Sequence, residues 1–361
     1  MRASKRGISR LRRAAVAFVA LSAVGTVGTV GTVGCGAGKM ATPPPPVLPA
    51  PPQSLPEPIP RASVEDVSDH AGEHASASPP DPEDAGARLS STAACPANMA
   101  LVDTTYCPRP VLRCLKSEYD KANHITICHR FAPGQGCATK LRRQRYCIDR
   151  YEYPNREGAH PPVMVSWYDG AAACAAEGKR LCWQSEWESA CEGPDRLPFP
   201  YGLARDSEQC NIDNAYVKPN LERVYSPRAD VQGSELLKLD QSVASGARPG
   251  CTSGFGVHDL TGNVDEWVNS EEDKGKSRWA GLKGGAWGHV RNACRPMTTS
   301  HPPEFTYYFI SFRCCADAAP DADAAKDPAL WTPPPMPDHA PPGGKVSAGW
   351  TTSARGPNRP R

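Results

Sequence analysis

Two stretches of the sequence carry side chains that could do chemistry. In "GLKGGAWGHVRNACRP", residues 281–296, Cys294 is either a reactive thiol in a cleft or half of a structural crosslink. A free thiolate would act as nucleophile or metal ligand, whereas a bridged sulfur does neither. In "HDLTGNVDEW", residues 258–267, Asp259 and Glu266 are spaced around the Gly262-Asn263 turn. A hard cation such as Ca²⁺ takes carboxylate and backbone carbonyl oxygens, and glycine lets the backbone curl close enough to offer them. The alternative is a turn held by Asx hydrogen bonds with no ion.

Which reading of Cys294 holds depends on the redox compartment. The chain opens with a basic segment through Arg13, followed by a charge-free stretch from Ala14 to Gly34 that begins with an apolar run, the layout of an export signal. The "TVG" before Cys35 resembles a bacterial lipoprotein cleavage site, in which the cysteine becomes the lipidated first residue, although Thr32 stands where an aliphatic residue is expected. Ordinary cleavage and an uncleaved anchor are the alternatives, since the run is near the ~20 residues that a membrane span needs. All three place the body outside the cytoplasm, where disulfides persist. Of the 15 cysteines, setting Cys35 aside leaves 14, all between Cys95 and Cys315, and an even number permits complete pairing.

The elements that position these residues occupy the middle of the 361-residue chain. With 39 prolines and 31 glycines, one ordered domain with long flanks is expected. The 41 basic and 39 acidic residues leave a net charge of +2, too small to argue for nucleic acid or an acidic partner. We expect an export signal over 1–35, a disordered Pro/Ala-rich linker over 36–92, a Cys-rich leading segment over 93–146, the main domain over 147–316 and a disordered Pro-rich tail over 317–361. The leading segment has little apolar content and needs its cysteines as staples. Zinc is the rival use of them, but no CxxC pair occurs there. Ser166 with Asp169 forms a capping box for a helix ending at Gly178, placing Trp167, Ala171 and Cys174 on one face. Ser185 with Glu188 repeats the device for a second helix ending before Gly193. Downstream, patches such as "SGFGVHDL", "LKGGAW" and "FTYYFISFRCC" between glycine-rich turns predict short strands and loops, with no long amphipathic helix.

In order, "PPVMVSWYDGAAACAAEGKRLCWQSEWESACEG", "FPYG", "GFGVHDLTGNVDEWV", "LKGGAW" and "FISFRCC" resemble the landmarks of the formylglycine-generating enzyme, or sulfatase-modifying factor, family over about residues 147–315. The resemblance implies a disulfide-rich α+β domain with little regular structure, a variant of the C-type lectin-like fold. The segment from Cys95 to Cys137 would then lie outside the family core. Members that convert a substrate cysteine to formylglycine carry two copper(I)-binding cysteines shortly after a "GGS" stretch. Ungapped counting from "GGAW" places those positions at His289 and Cys294, so the pair is broken. One thiolate cannot form the two-thiolate copper site, although imidazole is itself a competent copper ligand. The serine of "GGS" is Ala286 here, and the aromatic residue usual in "GNVWEW" is Asp265.

The resemblance also implies bridges. Cys174 would pair with Cys314, and Cys191 with a cysteine whose ungapped position falls on Thr299; Cys294, the cysteine of that neighbourhood, is expected to take the role. Cys314 and Cys315 are adjacent, and in extended backbone they point to opposite faces. They should therefore have different partners, and we expect Cys182 with Cys315 and Cys210 with Cys251. The family's calcium loop would map onto the side chains of Asp259 and Glu266 and the carbonyls of Gly262 and Val264, and Asn211 matches a ligand of a second calcium site. The expectation is a non-catalytic binding or scaffold module, tethered to the envelope through lipid or an anchor, taking an envelope protein or a glycan. It would use structural Ca²⁺ and no copper. The alternative is an oxygen-dependent oxidoreductase using His289 and Cys294. Trp167, Trp187, Trp267, Trp279 and Trp287 would line a sugar- or peptide-binding cleft or, as is commoner for aromatic residues, the core.

Overall fold

Ser166 accepts a hydrogen bond from the Asp169 backbone N–H at 3.2 Å, and the Asp169 carboxylate accepts from the Ser166 N–H at 2.8 Å. This reciprocal cap starts helix α1, Trp167–Ala176, in a computed structural model that describes residues 94–336 except 122, 135 and 277. Gly178, at φ +68°, ends the helix in the left-handed region that glycine enters without strain. The expected export signal, its Cys35 and almost all of the linker lie outside the described residues.

The leading segment supplies six strands: β1 (Met99–Tyr106), β2 (Pro110–Val111), β3 (Cys114–Asp120), β4 (Ile125–Phe131), β5 (Gly136–Cys137) and β6 (Arg142–Asp149). After α1 come β7 (Arg180–Leu181), α2 (Gln184–Glu192), α3 (Leu221–Val224), α4 (Ala229–Leu239), β8 (Asp265–Lys274), β9 (Arg278–Lys283), β10 (Met297–Thr298), β11 (Ile310–Phe312) and β12 (Cys314–Asp317). One sheet runs β1-β6-β12-β7 and a second runs β10-β9-β8-β11, with β8 and β11 parallel. β3–β4 and β2–β5 are separate antiparallel pairs. Short strands, short helices and long loops make this the expected irregular α+β fold.

Three elements differ from expectation. α2 begins before Ser185, because Glu186 accepts from the Trp183 N–H at 2.8 Å and takes the capping role. Ser185 is drawn instead to the side chain of Gln144, and Glu188 into a buried ionic group. α4 was not expected at all; its inward side is no more than Glu235, Leu236 and Leu239. The tail, expected to lack structure from 317, continues as β12 and then as a strap. A 3-10 turn at Ala324–Lys326 follows, and Trp331 donates its N–H to the Arg143 carbonyl at 2.7 Å.

The leading segment is fastened to the domain in three ways. β6, which pairs with β1 on one side, pairs on the other with β12 from Tyr146↔Asp317 to Ile148↔Cys315. Cys95–Cys147 ties its start to the domain, while Cys107–Cys137 and Cys114–Cys128 staple the segment internally. Its Tyr106 hydroxyl donates to Glu188 at 2.6 Å, beside Lys283 Nζ at 2.9 Å and an Arg295 nitrogen at 3.0 Å from the same carboxylate. Burial pushes the Glu188 carboxyl up, but Lys283 and Arg295 more than offset this and hold it below its ordinary range. All four groups are satisfied, which is the condition for burying charge without a large penalty.

Candidate functional site

The loop after β9 is built around two consecutive glycines with positive φ, Gly284 at +89° and Gly285 at +70°. A Cβ at Gly285 would meet the Asn292 amide at 2.9 Å. That amide donates to the Gly285 and Ala286 carbonyls, both at 2.9 Å, and its oxygen accepts from Arg205 at 2.8 Å. The turn is thereby clamped from one side. On the other, Trp287 donates its N–H to the Asn263 carbonyl at 3.2 Å, seating the loop on the "GNV" turn. The next residues, His289 and Cys294, are sent in different directions.

His289 faces a cleft. A cavity of about 760 Å³ is lined by Trp287, His289, Arg291, Tyr307, Tyr308 and Phe309 among others. A neighbouring cavity of about 470 Å³ shares His289, His301, Tyr307 and Phe309 and adds Asp265, Tyr225 and Phe305. Of the five tryptophans considered for a cleft, Trp287 is in its wall. Trp167, Trp187 and Trp267 are buried in the core, and Trp279 packs against it. The aromatic wall comes instead from the "FTYYF" run, 305–309, whose rings pack edge to face and tilted along the cleft.

Asp265 and His289, the two departures from the family pattern noted in separate motifs, meet here. Asp265 opens β8, where side chains alternate between faces, so it turns toward the cleft while Glu266 turns into the core. Its carboxylate is 3.8 Å from His289 Nδ1, with side-chain exposures of 3% and 33%. Burial pushes the Asp265 carboxyl up, against the pull of His289, the Gly285 N–H and Arg291. The His289 ring also packs on Phe309, centroids 5.3 Å apart.

Cys294 is buried away from that cleft. Its N–H donates to the Pro198 carbonyl, and its sulfur is joined to Cys191 at the end of α2, Cα to Cα 5.5 Å. Cys174 is joined to Cys314 (5.6 Å), Cys182 to Cys315 (4.8 Å) and Cys210 to Cys251 (4.7 Å). His289 and Cys294 therefore do not form a ligand pair. The two positions do not fit a two-ligand copper(I) site, because the sulfur of Cys294 is already bonded to Cys191 and a single imidazole is left.

The expected calcium ligands are likewise engaged with the protein. Both oxygens of Glu266 are taken by Arg313, at 2.7 Å each, and Trp187 Nε1–H donates to one of them at 2.8 Å. Asp259 accepts the Gly246 N–H at 2.7 Å. The Asn211 amide donates to Asn263 and to the Gln241 carbonyl, and its oxygen accepts from Asn214. The side chain of Asn263 bonds Val243 N–H and Glu152, so the Gly262–Val264 turn is tied down by side-chain amides. Among the described residues no group of three or more His, Cys, Asp or Glu is placed to hold a metal ion. A guanidinium holds both oxygens of Glu266, and a calcium ion at this loop would have to displace it.

Around Arg313 the sequence reading missed Glu152. It is fully buried, one oxygen accepts from Ser245 and Asn263, and the other has no hydrogen-bond partner. Burial, with the Asp259 and Glu266 charges, pushes its carboxyl well up. Asp259 is pushed up to about 6, mainly by burial. The "YEYPN" stretch carries no spacing signal that would have singled Glu152 out.

The mouse (Mus musculus) formylglycine-generating enzyme is 28% identical over 185 residues, covering 45% of this chain and 46% of that protein. The bovine (Bos taurus) inactive C-alpha-formylglycine-generating enzyme 2 is 28% identical over 165 residues, 44% of this chain and 50% of that protein. The structure of PvdO from Pseudomonas aeruginosa aligns with a TM-score of 0.37 at 16% identity, covering 61% of this chain and 94% of its own. The chain spans about half the length of the curated relatives it matches. The family match begins at 121, inside the leading segment that was expected to stand outside the family core. With residues 121–318, more than half its length, matching the sulfatase-modifying factor enzyme 1-like domain, this chain belongs to that family.

Proposed function

We propose that this chain is a non-catalytic binding module, tethered in the cell envelope, that keeps the cleft at His289 and has lost cysteine-oxidising chemistry. The observation that carries the reading is the engagement of the Cys294 sulfur with Cys191, at the position where the enzymes of the family are expected to need a free thiolate. A curated relative named as inactive supports it. Seven disulfides fit an oxidising compartment outside the cytoplasm, and no helix among the described residues is long and apolar enough to cross a membrane. Attachment would then rest on the N-terminal segment, through lipid on Cys35 or an uncleaved anchor. The partner classes are an envelope protein or a glycan reaching the aromatic wall.

The test is an aldehyde assay. Purified protein given copper(I), oxygen and a Cys-X-Pro-X-Arg peptide should form no formylglycine. Formylglycine that appears and is lost in Cys294→Ser would establish the oxidoreductase alternative.

A further inference from the structure

The Asp265 carboxylate is buried in the lining of an aromatic-walled cavity, held by the Gly285 N–H but with no cationic group within hydrogen-bond reach. A carboxylate out of water costs several kcal/mol unless it is paired and hydrogen-bonded. The nearest ionisable nitrogen is His289 Nδ1 at 3.8 Å, beyond hydrogen-bond reach, and it has no hydrogen-bond partner. Arg291, which also acts on Asp265, directs its guanidinium to the Met297 carbonyl and the Thr298 hydroxyl at 3.4 and 3.3 Å. By contrast, the core carboxylates Glu188 and Glu266 each have charged partners within 3.0 Å. Asp265 has no such partner, and, in addition, it lines an aromatic cavity.

Around it stand Phe305, Tyr307, Phe309 and Tyr225, whose ring faces carry negative potential. A buried anion beneath several π faces is complementary to a cation on an apolar stem. A neutral sugar would leave the carboxylate unpaired, and an anion would be repelled.

Resting on the binding-module reading above, we propose that this cavity takes a ligand group of the alkylammonium or alkylguanidinium class, its charge on Asp265 and its stem against Tyr307 and Phe309. The group is carried either by a free small amine or by a Lys or Arg side chain of a polypeptide. The wider lobe of about 760 Å³ has room for the rest of the ligand.

The test is calorimetric titration of the full chain, disulfides intact, with agmatine, acetyl-Gly-Arg-Gly-amide and the same peptide with norleucine for arginine. The arginine peptide should bind about tenfold or more tightly than the norleucine peptide, the value of one charge-assisted contact. Asp265→Asn, which keeps the side chain's shape, should remove that preference. Tyr307→Leu, which touches no charge, should weaken the arginine form by several-fold and provides a second variant if the first fails to fold. Agmatine binding as tightly as the peptide would assign a small amine, and a tighter peptide would assign a polypeptide. Equal affinity for arginine and norleucine peptides, or a preference unchanged in Asp265→Asn, would overturn the amine assignment and leave the binding reading standing. Absence of binding by every probe would also overturn it, and the aldehyde assay still decides the broader reading separately.

Discussion

Replacing Glu266 by glutamine should destabilise the domain by several kcal/mol and do so through Arg313. In the wild type the guanidinium is fully buried, holds both Glu266 oxygens at 2.7 Å, and gives two further N–H bonds to the Asp149 and His258 carbonyls at 3.3 and 2.9 Å. Glutamine keeps the shape and an acceptor for Trp187 Nε1–H, but it removes the charge. Breaking a buried pair from one side costs roughly 3–5 kcal/mol, because the other charge is left uncompensated. Glu152 and Asp259 lie close enough to interact with Arg313, and their negative charge offsets part of the loss, which places the cost near the lower end, about 3 kcal/mol. For a domain of this size each kcal/mol moves the melting temperature by roughly 2–4 °C, so differential scanning calorimetry at pH 7.5 should show a fall of about 6–12 °C. A fall under about 2 °C would mean that Arg313 does not depend on Glu266, and the account of this buried cluster would be wrong.

Two further expectations follow from the same cluster. Chelation should leave the wild-type melting curve unchanged, since Glu266 is held by a guanidinium; a fall on adding EDTA that calcium reverses would show that an ion does bind there. Because the Asp259 carboxyl lies near 6 in the folded protein and near ~3.9 when unfolded, the folded state holds its proton more tightly. Its contribution is full below about pH 4 and is lost as pH rises through about 6, an upper bound of roughly 3 kcal/mol. Asp259→Asn, which tolerates the local φ of +59°, should flatten the decline in melting temperature between pH 4 and 7; parallel wild-type and mutant profiles would refute the assignment.

The parts of the fold written in short-range chemistry were legible. The Ser166–Asp169 cap and Gly178 are local, and they delimit α1 as read. Strand alternation separates Cys314 from Cys315, as it does Asp265 from Glu266. What could not be read was decided by distant partners. Ser185 lost the cap because Gln144, 41 residues away, engages its hydroxyl while Glu186 satisfies the Trp183 N–H. α4 presents too narrow an apolar stripe to register as amphipathic, and its Glu235 is buried by accepting the Asn220 N–H. The strap at 317–336 is held by the backbone of β6 and by Trp331 over Arg142, contacts that no composition announces. At the site, Asp265 and His289 were each visible as departures from a motif, but their meeting depends on how the Gly284-Gly285 turn folds back over β8. The tryptophans drew attention by type, yet size carried most of them into the core and left the cleft wall to Tyr307, Tyr308 and Phe309.

Everything said of the cleft rests on Cys294 being a structural half-cystine and on a His289 pocket without a thiolate. Alkylation of the native, unreduced protein followed by non-reducing peptide mapping tests this directly. A peptide pair joined through Cys191 and Cys294, with no label on Cys294, is expected. An alkylated Cys294, with Cys191 free or bonded elsewhere, would contradict it and return the chain to the oxidising enzymes of its family.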